Sequence, residues 1–190
     1  TAAPGTHLTF FELNPGVVRL ARDTSLFQTL SGCAPDAAVH LGDARLTLER
    51  VRERYHLLVL DAFSSDAIPT HLLTREAFAL YRERTEPNGI IAYHVSNRFL
   101  DLAPPLGALA EESGWWAVQS LSAARPEAPA LGPPEVSTTV IALAADSGSL
   151  HGLVASGYWR WIEGSGRPWT DDWTPLASAL RLGRAAVFGK

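Results

Sequence analysis

The sequence of 190 residues contains no methionine and only one cysteine, Cys33. A single cysteine excludes an internal disulfide and any zinc cluster built from several cysteines. The six histidines are scattered along the chain, without the pair four residues apart that marks a zinc-binding helix, so no bound metal is expected. The absence of methionine leads us to expect a chain that was processed or cut from a longer protein.

Long apolar runs and clustered basic residues are also missing. No segment approaches the roughly 20 apolar residues that a membrane-spanning helix needs, and no signal-peptide pattern opens the chain. The net charge of -4 and the scattered arginines give no general attraction for nucleic acid. We therefore expect a cytoplasmic domain that binds a small molecule, with any membrane-spanning segments lying elsewhere in a longer chain.

Two common enzyme motifs are absent as well. No Gly-x-Gly-x-x-Gly pattern precedes Glu12, which disfavours a dinucleotide oxidoreductase. Ser64-Ser65 lacks the flanking glycines of a nucleophile elbow, which disfavours a hydrolase.

Residues 56–74 form the segment around which the rest of the chain can be organised, and they begin with an apolar run over residues 56–61. This short apolar run, rich in branched side chains, predicts a parallel strand that is buried on both faces and delivers Asp61 at its carboxyl end. Open α/β sheets bind their ligands at that edge. A loop with a second acid, Asp66, and a turn at Pro69 follows, before Thr74 can cap a helix.

Strands and helices alternate along the first half of the sequence, which predicts an α/β fold with a mostly parallel sheet. A final antiparallel strand pair and a tryptophan-rich tail complete the pattern. We predict a single domain, with a core over residues 1–145 and an extension over residues 146–190. The predicted strands are residues 7–13, 37–41, 56–61, 89–95, 115–121 and 136–144, and the predicted helices follow Pro15 and cover residues 45–54, 75–85 and 102–113.

Three acids, Glu12, Asp43 and Asp61, end or closely follow successive predicted strands. A parallel sheet would bring such residues to one edge. A carboxylate at the first position suits the paired hydroxyls of a ribose, and one at the second suits the amino group of adenine. Each acid alone is more simply explained as a helix N-cap, but three in register favour a nucleoside site. Asp61 could accept a proton from an attacking amine, and Asp66 could share that role.

Three segments carry a resemblance to a known family: Phe11-Glu12-Leu13-Asn14-Pro15, Gly42-Asp43-Ala44-Arg45, and residues 60–69, Leu-Asp-Ala-Phe-Ser-Ser-Asp-Ala-Ile-Pro. They resemble the spermidine synthase-like family, most closely its bacterial branch that is often fused to membrane segments. The resemblance implies a Rossmann fold of the S-adenosylmethionine-dependent methyltransferase type. It also implies transfer of an aminopropyl group from decarboxylated S-adenosylmethionine to an amine acceptor.

The resemblance assigns roles to individual residues. Glu12 would hold the ribose of the donor, Asp43 with Ala44 would hold the adenine, and Asp61 would be the catalytic acid that takes the amine's proton. Here the two loop acids are five residues apart, at Asp61 and Asp66, whereas the family pattern is Asp-x-x-Asp-Pro.

The family's first strand and its glycine-rich loop have no counterpart in this sequence, so we expect a fragment that lacks both. The loss would expose two strand edges, which predicts a homodimer, a domain swap or repair by the tail, with Val187-Phe188 as a candidate.

Three functions therefore stay open: an aminopropyltransferase-like enzyme, a methyltransferase acting on a small molecule, and a non-catalytic nucleoside-binding or structural domain of a membrane protein. His94 and Asn97 follow a predicted strand and could line a pocket, although a histidine in such a loop is more often structural. We interpret His71 as structural too.

Overall fold

The computed structural model describes residues 5–61, 69–96, 99–120 and 138–180. The chain divides into two compact units, Thr1–Glu53 (the N-terminal unit) and Arg54–Lys190 (the C-terminal unit). Within the described ranges, no helix is long and apolar enough to cross a membrane. Several features of the sequence lie outside these ranges: Asp66, Asn97, the connection over residues 122–135 and Val187-Phe188.

The N-terminal unit is a two-stranded parallel sheet with three helices. Strand β1 pairs with β2 from Thr9 opposite Ala38 to Glu12 opposite Leu41, as the alternating pattern predicted. Its elements are β1 (Thr9–Glu12), α1 (Pro15–Arg22), α2 (Thr29–Cys33), β2 (Ala38–Leu41) and α3 (Ala44–Arg50). Helix α2 was not expected from the sequence.

Side-chain caps start α1 and α3 close to where the sequence predicts. The side chain of Asn14 accepts a hydrogen bond from the backbone N–H of Gly16 at 2.8 Å, and Pro15 occupies the first helical position, where its missing N–H costs nothing. Asp43 caps α3 in the same way. Apolar packing contributes little, because Leu48 is the only fully buried residue among the described residues of this unit.

The C-terminal unit is a five-stranded sheet with helices packed on it. The strand order is β3-β4-β6-β5-β7. Its elements are β3 (Tyr55–Leu60), α4 (Arg75–Glu83), β4 (Thr85–His94), α5 (Ala103–Glu112), β5 (Trp116–Ser120), β6 (Val140–Ala144), α6 (Gly148–Ala155) and β7 (Trp159–Trp161), with short 3₁₀ helices at Thr70–Leu72 and Leu176–Ala179.

The expectation of a mostly parallel sheet is only partly met. β3 and β4 are parallel, and β5 and β6 form the predicted antiparallel pair. However, β6 lies between β4 and β5 and is antiparallel to both, and β7 is antiparallel to β5. The sheet is therefore mixed, because β6 and β7 run back along it, whereas the crossover through α5 keeps β5 parallel to β4.

The core of this unit lies on the two faces of β4 and β6. On one face, Tyr81 of α4 packs against Tyr93 of β4, with ring centroids 6.4 Å apart. On the other face, Leu150 of α6 completes a buried cluster with Val118, Ala142 and Ala144. Both faces of the central strands are thus covered by helices.

The first strand of the unit is less buried than the sequence suggests. Leu58 is buried, but the side chains of Leu57 and Val59 on the opposite face are 56% and 57% exposed. The prediction of a strand buried on both faces is therefore wrong among the described residues, because α6 packs against the strands from β4 onward and leaves this face of β3 uncovered. The edge of β3 away from β4 pairs with no other described strand.

The segment Pro87-Asn88-Gly89, whose residue types favour a turn, lies inside β4. The pairing of Tyr55 with Thr85 shifts to a pairing of Leu57 with Ile90, so the extra residues are accommodated as an irregularity of the strand. Glycine suits this position, since a Cβ atom on Gly89 would lie 2.6 Å from Thr85 Cγ2 and 3.0 Å from the carbonyl oxygen of Tyr55.

The tail is tied to the start of α4. The hydroxyl of Thr74 donates to Asp171 Oδ1 at 2.7 Å, the backbone N–H of Arg75 donates to the carbonyl of Trp169, and the N–H of Asp171 donates to Glu76. Of the tryptophans of the tail, Trp169 is buried, whereas Trp161 and Trp173 are exposed. The segment 169–171 thereby fixes the N-terminus of α4.

The backbone of α5 comes very close to the backbone at Gly164, in the C-terminal extension. A Cβ atom on Gly107 would lie 2.8 Å from Gly164 Cα, and one on Gly164 would collide with the backbone of Ala108. The N–H of Gly164 also donates to Glu111 of the same helix at 2.6 Å. Glycine at both positions allows this contact.

Candidate active site

Glu12 ends β1 and is anchored to the start of the following helix. Its Oε1 accepts a hydrogen bond from the backbone N–H of Asn14 at 2.8 Å. A carboxylate oxygen has two lone pairs, so this bond orients the group and leaves acceptor capacity for a ligand hydroxyl.

Asp43 lies at the same edge of the small sheet. Leu41, two residues earlier, is opposite Glu12 in the parallel register, and the N–H of Gly42 donates to the carbonyl oxygen of Glu12 at 3.0 Å. Gly42 has a φ of 134°, a conformation that favours glycine. Asp43 Oδ1 accepts from the N–H of Leu46 at 3.0 Å, so this acid is an N-cap, and Ala44 is the first residue of α3.

Asp61 directly follows β3 in the C-terminal unit. Its Oδ1 lies 2.5 Å from Nδ1 of His94, the last residue of β4. The parallel register pairs Leu60 with Tyr93, so the next residue on each strand falls side by side. The structure therefore gives Asp61 a hydrogen-bond partner in His94, for which the sequence left both a pocket-lining and a structural role open.

A second hydrogen bond holds the other side of the histidine ring. His94 Nε2 lies 2.8 Å from Ser96 Oγ, and Ser96 Oγ accepts from the backbone N–H of Thr139 at 2.9 Å. The result is a continuous chain of hydrogen bonds from the start of β6 to the carboxylate of Asp61.

Tyr93, the neighbour of His94 on β4, lies on the buried face of the strand, opposite to the face of His94. Tyr93, next to His94 in sequence, is fully buried, and burial together with neighbouring Tyr81 raises its pKa well above the ordinary 10.0. Among the described residues, no group of three or more His, Cys, Asp or Glu side chains is placed to hold a metal.

The predicted site residues thus fall into two pairs. Glu12 and Asp43 share one sheet edge in the N-terminal unit, and Asp61 with His94 belongs to the C-terminal unit. An open cavity of about 440 Å³ in the C-terminal unit, lined in part by Asp101, Arg160 and Trp161, includes none of them. The partnership of His94 with Asp61 could have been found by aligning the ends of the two neighbouring strands.

Comparison with known proteins gives one curated relative. The polyamine aminopropyltransferase of Vibrio vulnificus (strain CMCP6) is 31% identical over 99 residues, which cover 50% of this chain and 31% of the relative. No protein-family model matches the chain. Over the matched half of the chain, the sequence is thus similar to that of a polyamine aminopropyltransferase. It spans about a third of the length of the curated relative, at 31%.

Solved structures confirm the predicted Rossmann-like fold of the methyltransferase type. A probable spermidine synthase from Corynebacterium glutamicum aligns with a TM-score of 0.56 at 16% identity, over 90% of this chain and 74% of its own. Spermidine synthase from Thermotoga maritima aligns with a TM-score of 0.50 at 9% identity, over 93% and 57%. A precorrin 8W decarboxylase from Methanobacterium thermoautotrophicum gives 0.50 at 14% identity, over 74% and 83%.

Proposed function

We propose that this chain contributes the transferase chemistry of an aminopropyltransferase, moving an aminopropyl group from decarboxylated S-adenosylmethionine to an amine acceptor in the intact protein. The observation that carries the proposal is the carboxylate of Asp61, which stands at the end of a strand and is oriented by a hydrogen bond from His94 at 2.5 Å. The relationship to a polyamine aminopropyltransferase supports the choice of reaction.

The reaction needs a proton acceptor at this position. An ammonium group must lose a proton before its nitrogen can attack, and Asp61 takes that proton. The nitrogen then bonds to the terminal methylene carbon of the aminopropyl group, while the bond from that carbon to sulfur breaks and its electron pair goes to sulfur. The products are the extended amine and neutral methylthioadenosine, so charge and atoms balance. We assign Asp66 a supporting role in binding the ammonium group.

The donor's nucleoside is assigned to the acids of the N-terminal unit. Glu12 would accept hydrogen bonds from the ribose hydroxyls, and Asp43 with Ala44 would contact the adenine. Both carboxylates are held by backbone N–H groups, at 2.8 Å from Asn14 and 3.0 Å from Leu46, so they are oriented before a ligand arrives. This preorganisation lowers the entropic cost of binding.

The experiment is a turnover assay of the intact protein with decarboxylated S-adenosylmethionine and putrescine, with product analysis. Methylthioadenosine is expected; S-adenosylhomocysteine formed from S-adenosylmethionine would indicate a methyltransferase instead. Asp61→Asn keeps shape but removes the proton acceptor, so turnover should fall about 10²- to 10⁴-fold. Affinity for methylthioadenosine should stay unchanged, and Asp172→Asn, an exposed acid, is the matched control.

A companion variant separates binding from chemistry. Glu12→Gln should weaken nucleoside binding by about 1.5 to 3 kcal/mol, the usual contribution of a hydrogen bond to a charged group, with little change in the rate at saturation. Equal turnover of Asp61→Asn and the parent would rule out the catalytic role of Asp61. If the intact protein binds no nucleoside at all, the structural-domain interpretation is the one that remains.

A further inference from the structure

We infer that His94 is the positioning residue for the catalytic carboxylate, and that Ser96 and the backbone of Thr139 fix the ring of His94 for that purpose. The inference rests on the proposed function of Asp61. Its evidence is the chain of three hydrogen bonds from Thr139 through Ser96 and His94 to Asp61, with heavy-atom distances of 2.9, 2.8 and 2.5 Å.

The direction of each hydrogen bond follows from the two ends of the series, a backbone donor at Thr139 and a carboxylate acceptor at Asp61. The backbone N–H of Thr139 can only donate, so Ser96 Oγ accepts there. A carboxylate can only accept, so the ring nitrogen facing Asp61, Nδ1, must carry a proton. In the neutral ring, Nε2 is then an acceptor and receives the hydroxyl proton of Ser96. Every donor in the chain therefore meets an acceptor, and the chain selects a single tautomer of His94.

The sheet holds the residues at both ends of this series of hydrogen bonds. The N–H of Val95 donates to the carbonyl oxygen of Thr139 at 2.8 Å, so the backbone next to Ser96 is tied to the start of β6. β6 is buried in the core, whereas the side chain of Asp61 is 64% exposed and that of His94 is 32% exposed. The rigidity of the core is thus passed outward to a carboxylate at the surface.

Holding one carboxylate oxygen has a consequence for the other. With Oδ1 bonded to Nδ1–H, Oδ2 is the oxygen directed to accept a proton from an incoming amine. Within the described residues, His94 is the side chain that contacts Asp61, so removing the ring frees the carboxylate to rotate. The expected result is a slower chemical step with unchanged binding of the nucleoside.

The first test reads the tautomer directly and does not depend on turnover. Long-range ¹H–¹⁵N correlation spectra of protein labelled with ¹⁵N-histidine at neutral pH should show His94 protonated at Nδ1. In Asp61→Ala, which removes the acceptor, the signal should move toward the Nε2–H form. A parent protein with the proton on Nε2, or a spectrum that Asp61→Ala leaves unchanged, would overturn the inference.

The second test separates positioning from folding by a conservative rescue. His94→Ala should lower kcat on the order of 10- to 100-fold, by analogy with the loss of a hydrogen-bond partner that orients a metal ligand. His94→Asn places an amide N–H near the position of Nδ1 and should recover most of that loss. Neither variant should change the dissociation constant for methylthioadenosine, and His56→Ala, an exposed histidine of β3, is the control.

The outcomes distinguish the inference from the function on which it rests. An active parent whose kcat is unaffected by His94→Ala would overturn the positioning role while the proposed function stands. A parent without turnover would overturn the proposed function, and the tautomer spectra would still decide whether His94 orients Asp61. Equal loss in His94→Ala and His94→Asn, with weakened nucleoside binding, would show a merely structural residue and would also overturn the inference.

Discussion

The two units of the chain hold their acids by different means. In the N-terminal unit, Glu12 and Asp43 are fixed by hydrogen bonds to backbone groups two or three residues away, and only Leu48 is buried among the described residues. In the C-terminal unit, Asp61 is fixed by His94, a residue 33 positions away, and through it by a buried sheet. One arrangement needs no core, and the other depends on one.

The exposed apolar surface of the N-terminal unit sharpens this difference. Its exposed large apolar side chains include Phe10, Leu13, Val17, Leu20, Leu26, Phe27, Leu41 and Leu46. A unit of this size gains little hydrophobic stabilisation when so many side chains stay in contact with water. Local capping can therefore orient a carboxylate in a weakly packed unit, whereas orientation by a side chain distant in sequence requires a well-packed unit.

The largest test of the comparison is a matched pair of leucine truncations in helices. Leu109→Ala in α5 removes a side chain that is 0% exposed and should cost about 2 to 5 kcal/mol of unfolding free energy. Leu46→Ala in α3, where the side chain is 57% exposed, should cost less than about 1 kcal/mol.

Urea unfolding followed by tryptophan fluorescence measures the first effect, because all six tryptophans lie in the C-terminal unit. Far-UV circular dichroism measures both. If Leu46→Ala were as costly as Leu109→Ala, the contrast in packing between the two units would be refuted.

A smaller effect is expected at the hydrogen bonds between segment 169–171 and the start of α4. Asp171→Ala removes the nearer acceptor of the buried Thr74 hydroxyl, at 2.7 Å, and leaves the carbonyl oxygen of His71 at 3.4 Å, so it should cost about 1 kcal/mol. Asp172→Ala, next to it and exposed, should stay within about 0.5 kcal/mol of the parent. Thermal unfolding measures the loss of stability in both variants. Equal losses would show that the hydrogen bond between Thr74 and Asp171 contributes nothing to stability.

The smallest expected effect is a gain in stability. Tyr93 is buried, and its hydroxyl has no hydrogen-bond partner within the part of the chain that the structure describes. Tyr93→Phe should therefore stabilise the protein by about 1 kcal/mol, whereas Tyr158→Phe, at an exposed position, should have no effect.

The gain should grow with alkaline pH. Burial raises the pKa of Tyr93, so the folded state favours the neutral phenol more than the unfolded state does. The stability that comes from this preference is complete below pH 10.0, the ordinary pKa, and is lost as the pH rises toward the raised value. Unfolding curves at neutral and alkaline pH check this, and a destabilised Tyr93→Phe would mean that the hydroxyl is hydrogen-bonded after all.

The sequence was most informative where one element determines the outcome. Alternating apolar runs placed Glu12, Asp43 and Asp61 at strand ends, and Asn14-Pro15 placed the start of α1. These features depend on side-chain periodicity and capping over a few residues, which a single sequence contains.

Features that depend on pairing between elements were missed. The insertion of β6 between β4 and β5 and the contact of His94 with Asp61 require the order and register of strands far apart in sequence. Helix α6 carries Gly148 and Gly152, which weaken intrinsic helix propensity, yet it forms because Leu150 is fully buried against the sheet. Tertiary packing overrides local preference there.

The contact between Gly107 and Gly164 has an evolutionary consequence. A crowded pair of side chains can usually drift together, one growing as the other shrinks. Here the clash that any Cβ atom would make is with backbone, and each partner already has the smallest residue there is. No compensating change exists on either side, so a deep mutational scan should find both positions closed to every substitution, alone or in combination, unless α5 itself moves.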